Sequence, residues 1–373
     1  MVRLLQQQRE PVVLVASAEF TLKSSPVRRT LEQRLIDDLR VALGRAGFEG
    51  FRVEKHAARL VVRGLSESTL ESAAKCFARV FGVAYAVPAV LLPSSMDMVL
   101  EEIVHVAQTS LRTGQSFAVR CHRITPSSTH RRHIEIKGGS EVLRVLKDRG
   151  VRVDLKKPDV TIAVDLAEHW VLVYGSRMQG PGGLPLSSQW KMLAVLDSGP
   201  LTILAAYTMM RRGCMVELLI PFSERIQYFN KDRQLQWATK LRSLVTRSAY
   251  KAFTIDMEPY SAEYLNAKSR IRIAALQVAK EKRFRGVIFS DIMGDLNLLS
   301  SKEGTTESNM RSPVFYPLLA FGIEDLFELC PSVGISKGDL LSQMRLEKEF
   351  SGCGKGVGFH ENLGNLTVQE ISL

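Results

Sequence analysis

The chain has no CxxC pair, no internal repeat, no low-complexity tract and no apolar run near the roughly 20 residues that a membrane span needs. Its five cysteines, Cys76, Cys121, Cys214, Cys330 and Cys353, are odd in number and widely scattered. That spacing excludes a disulfide framework and a four-ligand zinc site, and it fits a reducing compartment. The opening "MVRLLQQQREPVVLVAS" has an apolar piece too short for a secretory core and broken by charge. A soluble protein of the cytoplasm, without a membrane partner or a structural metal, is therefore the expectation.

Acid is also short: 39 Asp and Glu stand against 50 Lys and Arg, a formal net charge of +11 over 373 residues. Such an excess favours a polyanionic partner. It is densest between residues 120 and 157, where Arg120, Arg123, Arg131, Arg132, Lys137, Lys156 and Lys157 are among eleven cations facing four carboxylates. Few aromatic residues interleave them, so contacts to phosphates and to the shape of a folded RNA fit better than a single-strand stacking platform. A solvated charged face is the alternative use of the same residues. Pro158 biases Lys157 toward an extended backbone, which would hold Lys156 and Lys157 at the mouth of a strand. Cys121 and His122, with His130 and His133 nearby, match no common zinc spacing.

The elements read in three blocks. "VVLVA", then a helix through "SSPVRRTLEQRLIDDLRVALGRAGF" with Leu31, Leu35, Leu39 and Leu43 four apart, then "RLVVRG", "LESAAKCFARVFGV" and "AYAVPAVLL" give a β-α-β-α-β order. This predicts a ferredoxin-like unit over residues 1–90. A second unit, 91–180, carries the helix "SMDMVLEEIVHVAQTSL", the strand "SFAVRCHRI", a helix around "SEVLRVLKDRG" and two alternating strands, "DVTIAVDLA" and "HWVLVYGSRM". The Gly/Pro cluster at 181–190 reads as a junction. From 191 to 373 strands alternate with helices, which predicts a doubly wound parallel sheet whose ligands bind beyond the carboxyl ends of its strands. The fold class is thus mixed, α+β followed by α/β.

Three stretches resemble one family. "AEFTLKS" before an Arg-rich helix is similar to the opening of the 4-thiouridine synthases. "SFAVRCHRI", "VDLKKPDVTIAVDL" and "VYGSRMQGPGGLPLSS" resemble their THUMP domain and linker, and "AAYTMMRRG" with "RIRIAALQVAKE" resembles their PP-loop pyrophosphatase domain. The resemblance covers nearly the whole chain in order. It implies that the first two domains bind tRNA, that the third adenylates a uridine with ATP and magnesium, and that a cysteine persulfide then supplies sulfur. It also implies a homodimer.

On that resemblance the nucleotide turn corresponds to Asp197, Ser198, Gly199, Pro200, Leu201 and Thr202, and only Gly199 and Thr202 keep the family's pattern. Asp197 places a carboxylate where a hydroxyl should meet phosphate, and Pro200 removes an N–H donor. The second nucleotide segment corresponds to 289–301, where Gly294 persists and Asp291 is acidic. Asp197, Ser198, Gly199, Thr202, Asp291 and Gly294 are thus the candidate nucleotide-binding residues. Cys353, between Gly352 and Gly354 with Lys355 beside it, is the candidate sulfur carrier. Without a further sulfur-carrying domain, sulfur would come from a separate donor. Three readings stay open: a tRNA-binding protein of tRNA modification with an eroded ATP loop, an active ATP-dependent sulfurtransferase using Cys353, and a non-catalytic subunit that presents tRNA to another modifying enzyme.

Overall fold

The computed structural model describes residues 9–17, 19–20, 23–56, 59–125, 131–224, 227–246, 250–257, 264–292, 312–352 and 368–373. The chain divides into two units, Met1–Gly182 and Gly183–Leu373.

Unit 1 opens with β1 (Glu10–Ser17), α1 (Ser25–Arg45), β2 (Arg52–His56), β3 (Arg59–Arg63), α2 (Leu70–Phe77) and β4 (Val83–Pro93). Leu31, Leu35, Leu39 and Leu43 are all buried, as their four-residue spacing on α1 predicts. Ser24 is the N-cap of α1, with Pro26 in the first turn. The sequence reading missed β2, which is mostly charged and pairs with β3 as an antiparallel hairpin. The observed order is therefore β-α-β-β-α-β, with the sheet arranged β2-β3-β1-β4.

The chain continues through α3 (Met96–Ser110), β5 (Ser116–Arg123), α4 (Arg131–Val145), β6 (Arg152–Val153), β7 (Val160–Leu166), β8 (Trp170–Tyr174) and β9 (Met178–Gln179). Helix α4 starts earlier than the helix expected around residues 140–150. Two glycines obscure it, and Gly138 permits a close approach to α3: a Cβ there would lie 2.9 Å from Ile103 Cδ1. β4 is long enough to pair with β1 on one side and with β8 and β9 on the other. One sheet, β2-β3-β1-β4-β8-β7-β5-β6, consequently runs through both halves of unit 1.

That sheet is curled. Arg59 on β3 and Asp165 on β7 lie four strand spacings apart, roughly 19 Å if the sheet were flat, yet Arg59 Nε donates to Asp165 Oδ2 at 2.7 Å. Twist brings the halves together over a shared apolar layer that includes Val12, Leu14, Val61, Val87, Leu91 and Leu172. Arg9, just before β1, adds a second link by donating to Glu102 of α3 at 2.7 Å.

Unit 2 contains β10 (Lys191–Val195), α5 (Pro200–Arg211), β11 (Met215–Phe222), α6 (Lys231–Ser243), β12 (Lys251–Asp256), α7 (Tyr264–Glu281), β13 (Val287–Ile288), β14 (Val314–Phe315), α8 (Ile323–Leu329), α9 (Lys337–Gly352) and β15 (Val368–Ser372). Its sheet runs β14-β13-β10-β11-β12-β15. All neighbours are parallel except the edge pair β12 and β15. The order reverses at β10, between β13 and β11, so the turn after β10 lies where doubly wound sheets take their ligands. The apolar layer there joins Leu193, Val195, Phe253, Ile271, Ala275 and Phe289.

Candidate nucleic-acid interface and nucleotide turn

The cations singled out in the sequence are spread over β5, α4 and the turn between β6 and β7. Lys156 and Lys157 are exposed on the turn between β6 and β7, and their backbone N–H groups donate to Asp154 Oδ1 at 2.8 and 2.9 Å. These bonds hold the Asp154 carboxyl below its ordinary range. Asp159 then accepts from the backbone N–H and hydroxyl of Ser116, both at 2.7 Å, which pins the end of the turn to β5. Arg120 Nη2 donates to the carbonyl of Leu155, so β5 and the lysine turn are one surface.

Arg123 is exposed at the end of β5, and Arg131, Arg132 and Lys137 are exposed on α4. Glu135 of α4 accepts from the Cys121 N–H at 3.0 Å and stands 3.4 Å from Arg131 Nε, docking the helix on the strand. Replacing both Lys156 and Lys157 by alanine should weaken the binding of a folded RNA about uniformly across sequences and lower the salt slope by about one per lysine. A binding series over several salt concentrations checks this, and unchanged affinity and slope would remove the pair from the interface.

The sequence reading missed a second cluster, because its members are far apart in the chain. Asp165, 0% exposed, accepts from Arg59 and also from Tyr174 Oη at 3.0 Å, with His122 Nδ1 3.7 Å away. Arg177 lies over the Tyr85 ring, 4.5 Å from its centroid. No spacing rule connects these residues, although the alternation of β5, β7 and β8 places Arg120, His122, Ala163, Asp165, Leu172 and Tyr174 on one face.

In unit 2 the turn after β10 is enclosed. Every residue from Met192 to Tyr207 is buried. The Ser198 N–H donates to Thr202 Oγ1 at 3.4 Å, and Thr202 Oγ1 donates to the Val195 carbonyl at 3.0 Å. Asp197 Oδ1 accepts from Ser290 Oγ at 3.1 Å, while Asp197 Oδ2 is buried with no hydrogen-bond partner among the described residues.

Gly199 has φ +48°, and a Cβ added to it would lie 2.9 Å from Trp237 Nε1 and 3.4 Å from Gln343 Oε1. Gln343 is fixed in turn, since its Oε1 accepts from Arg233 at 2.5 Å and its Nε2 donates to Tyr228 Oη. Side chains from α6 and α9 thus occupy the approach to the turn. Pro200 lacks an N–H, and the Leu201 N–H is spent on the Ser198 carbonyl at 3.1 Å. Pro200 and Leu201 thus leave the start of α5 without an open backbone N–H donor at these two positions.

Asp291 is buried and accepts from Arg272 Nη2 of α7, and Arg272 also lies 4.8 Å from the centre of the Phe289 ring. Asp291, a candidate nucleotide-binding residue from sequence, is thus half of an enclosed ion pair. Gly294 and Cys353 lie outside the described residues.

Burial raises the thiol pKa of Cys76, Cys121, Cys214 and Cys330, with Cys121 pushed up to about 12. Brief alkylation of the native protein near pH 8 should therefore leave these four largely unlabelled, Cys121 most of all. Mass spectrometry of the digest reads this directly, and rapid labelling of Cys121 would refute the burial argument.

A ferredoxin-like half, a second half continuing the same sheet and a C-terminal unit with a doubly wound sheet define the class: a multidomain chain ending in an α/β unit. Residues 12–86 match the family model of the ThiI ferredoxin-like domain, and residues 93–175 match that of the THUMP domain. The first part of the chain thus carries a ThiI ferredoxin-like domain and a THUMP domain, and over most of its length the chain is similar to proteins named tRNA sulfurtransferase.

A probable tRNA sulfurtransferase of Methanosarcina mazei is 24% identical over 346 residues, 87% of this chain and 82% of that protein. Another from Aeropyrum pernix is 33% identical over 209 residues, 56% of this chain and 51% of that one. Among solved structures, a 4-thiouridine synthetase in complex with RNA and bound ATP shares the fold with a TM-score of 0.71. It is 17% identical, and the match covers 97% of this chain and all of that one. The protein PH1313 of Pyrococcus horikoshii follows with a TM-score of 0.64 and 22% identity, covering 87% of this chain and all of that one.

Proposed function

We propose that this protein binds tRNA through unit 1 and acts in tRNA modification, with the ATP chemistry of its C-terminal unit weakened or lost. The observation that carries the reading is the contrast between two places in one chain. The cations around β5 are presented to solvent on a braced turn, whereas the turn at Asp197–Gly199 is buried behind Trp237 and Gln343. The relatives named as tRNA sulfurtransferases supply the substrate class. Counterion release from phosphates would supply the affinity.

Calorimetry on the full chain with magnesium and ATP, with and without bulk tRNA, tests the reading. The expected result is salt-dependent tRNA binding and no saturable ATP binding. Micromolar ATP binding that Gly199→Asp abolishes would overturn the eroded-loop reading. It would favour an active sulfurtransferase, in which Cys353 carries sulfur from a separate donor. Tight copurification of a second modifying enzyme, with tRNA bound and ATP not, would favour a presenting subunit.

A further inference from the structure

The cluster around Asp165 holds more positive charge than its own carboxylate uses. Asp165 is saturated by Arg59, by Tyr174 and by the nearby His122. Burial lowers the His122 pKa, so that ring is mostly neutral near pH 7 and adds little charge. Arg177, three residues beyond β8, is held by other means. Its guanidinium carbon lies over the Tyr85 ring, 4.5 Å from its centre, and 5.4 Å from the Tyr174 ring centre, and Nη2 donates to Tyr174 Oη at 3.3 Å. No carboxylate pairs with it among the described residues, and the side chain is exposed.

A guanidinium held over a ring with one of its five N–H donors spent on a hydroxyl keeps the others for a ligand, in the fork geometry that matches two oxygens of a phosphate. Because the ring and the tyrosine hydroxyl already limit its rotamers, little freedom is lost when an anion binds. The strand register also connects this position to the basic stretch. His122 is opposite Asp165 and Arg120 is opposite Ala163 on the same face of the sheet, and Arg120 in turn reaches the lysine turn.

We infer that Arg177, held over Tyr85 and hydrogen-bonded to Tyr174, is a preformed phosphate-binding fork for the RNA backbone, extending the interface beyond residues 120–157. The inference rests on the tRNA-binding reading of unit 1. The fork positions the RNA without reading sequence, because phosphate oxygens carry no base identity.

Fluorescence anisotropy of the full chain with an unmodified tRNA transcript over a salt series provides the test. Arg177→Ala should weaken binding about tenfold and lower the salt slope by about one, with the melting temperature unchanged. Arg177→Lys should keep the slope and recover only part of the affinity, since it restores charge without the fork. Tyr85→Leu should also keep the slope while weakening binding, because the cation stays but is no longer held.

If Lys156→Ala/Lys157→Ala loosens the complex and Arg177→Ala does not, the inference is overturned while the tRNA-binding reading stands. Arg177 would then serve the fold or an acidic protein surface. If the wild-type chain binds no tRNA under any of these salts, both fall together.

Discussion

Asp165→Ala is expected to destabilise unit 1 by about 3–5 kcal/mol, the range for removing one partner of a buried ion pair. The loss is large because Arg59, on the far side of the curled sheet, would keep its charge and its position while losing its counterion. Tyr174 Oη would also lose its acceptor. Asp165→Asn should cost less, since its carboxamide oxygen can still accept from one of the two donors. A double replacement of Arg59 and Asp165 by leucine should recover much of the loss, because apolar packing removes the desolvation cost along with the pair.

Urea unfolding combined with hydrogen exchange on β3, β7 and β8 measures all three variants. A loss below about 1 kcal/mol for Asp165→Ala would mean that the shared apolar layer alone holds the two halves together.

The prediction depends on a contact 106 residues apart in sequence, which marks where legibility from sequence ends. Periodic features were readable: the Leu31 to Leu43 stripe of α1, the alternating strands β7 and β8, and the strand-helix alternation of unit 2. Each of these is a local pattern with one buried face. The hairpin strand β2 was not readable, because its exposed face is charged and its apolar content is low. Neither was the start of α4, where two glycines and a basic opening hide a helix that packs closely on α3.

The sites divide in the same way. Local charge density singled out the lysine turn and its neighbours on β5 and α4 as candidates, and the structure shows them exposed apart from the half-buried Arg120. The cluster at Asp165 needed the curl of the sheet. At the nucleotide turn the sequence showed that Asp197, Pro200 and Leu201 depart from the family's pattern. It could not show that Trp237 and Gln343, from two later helices, stand over Gly199.

Arg272→Met is expected to cost unit 2 about 3–5 kcal/mol, for a related reason and with a consequence for function. Arg272 on α7 and Asp291 after β13 are both buried, and methionine would preserve much of the stem's packing while leaving the Asp291 carboxylate without its cation. A second change, Asp291→Leu, made on top of Arg272→Met should restore most of the stability. If the double variant is as unstable as the single one, Arg272 contributes through its packing on Phe289 and its other contacts rather than through the pair.

The same variants separate the two views of the turn. If the ion pair is structural, neither variant should lose tRNA affinity, and adding magnesium and ATP should not raise the melting temperature of the wild type or of either variant. A ligand that binds only the folded state must raise it by mass action. Stabilisation of the wild type by ATP that disappears in Asp291→Leu would show that the pair opens to receive a nucleotide, and unit 2 would then have to be studied as an enzyme.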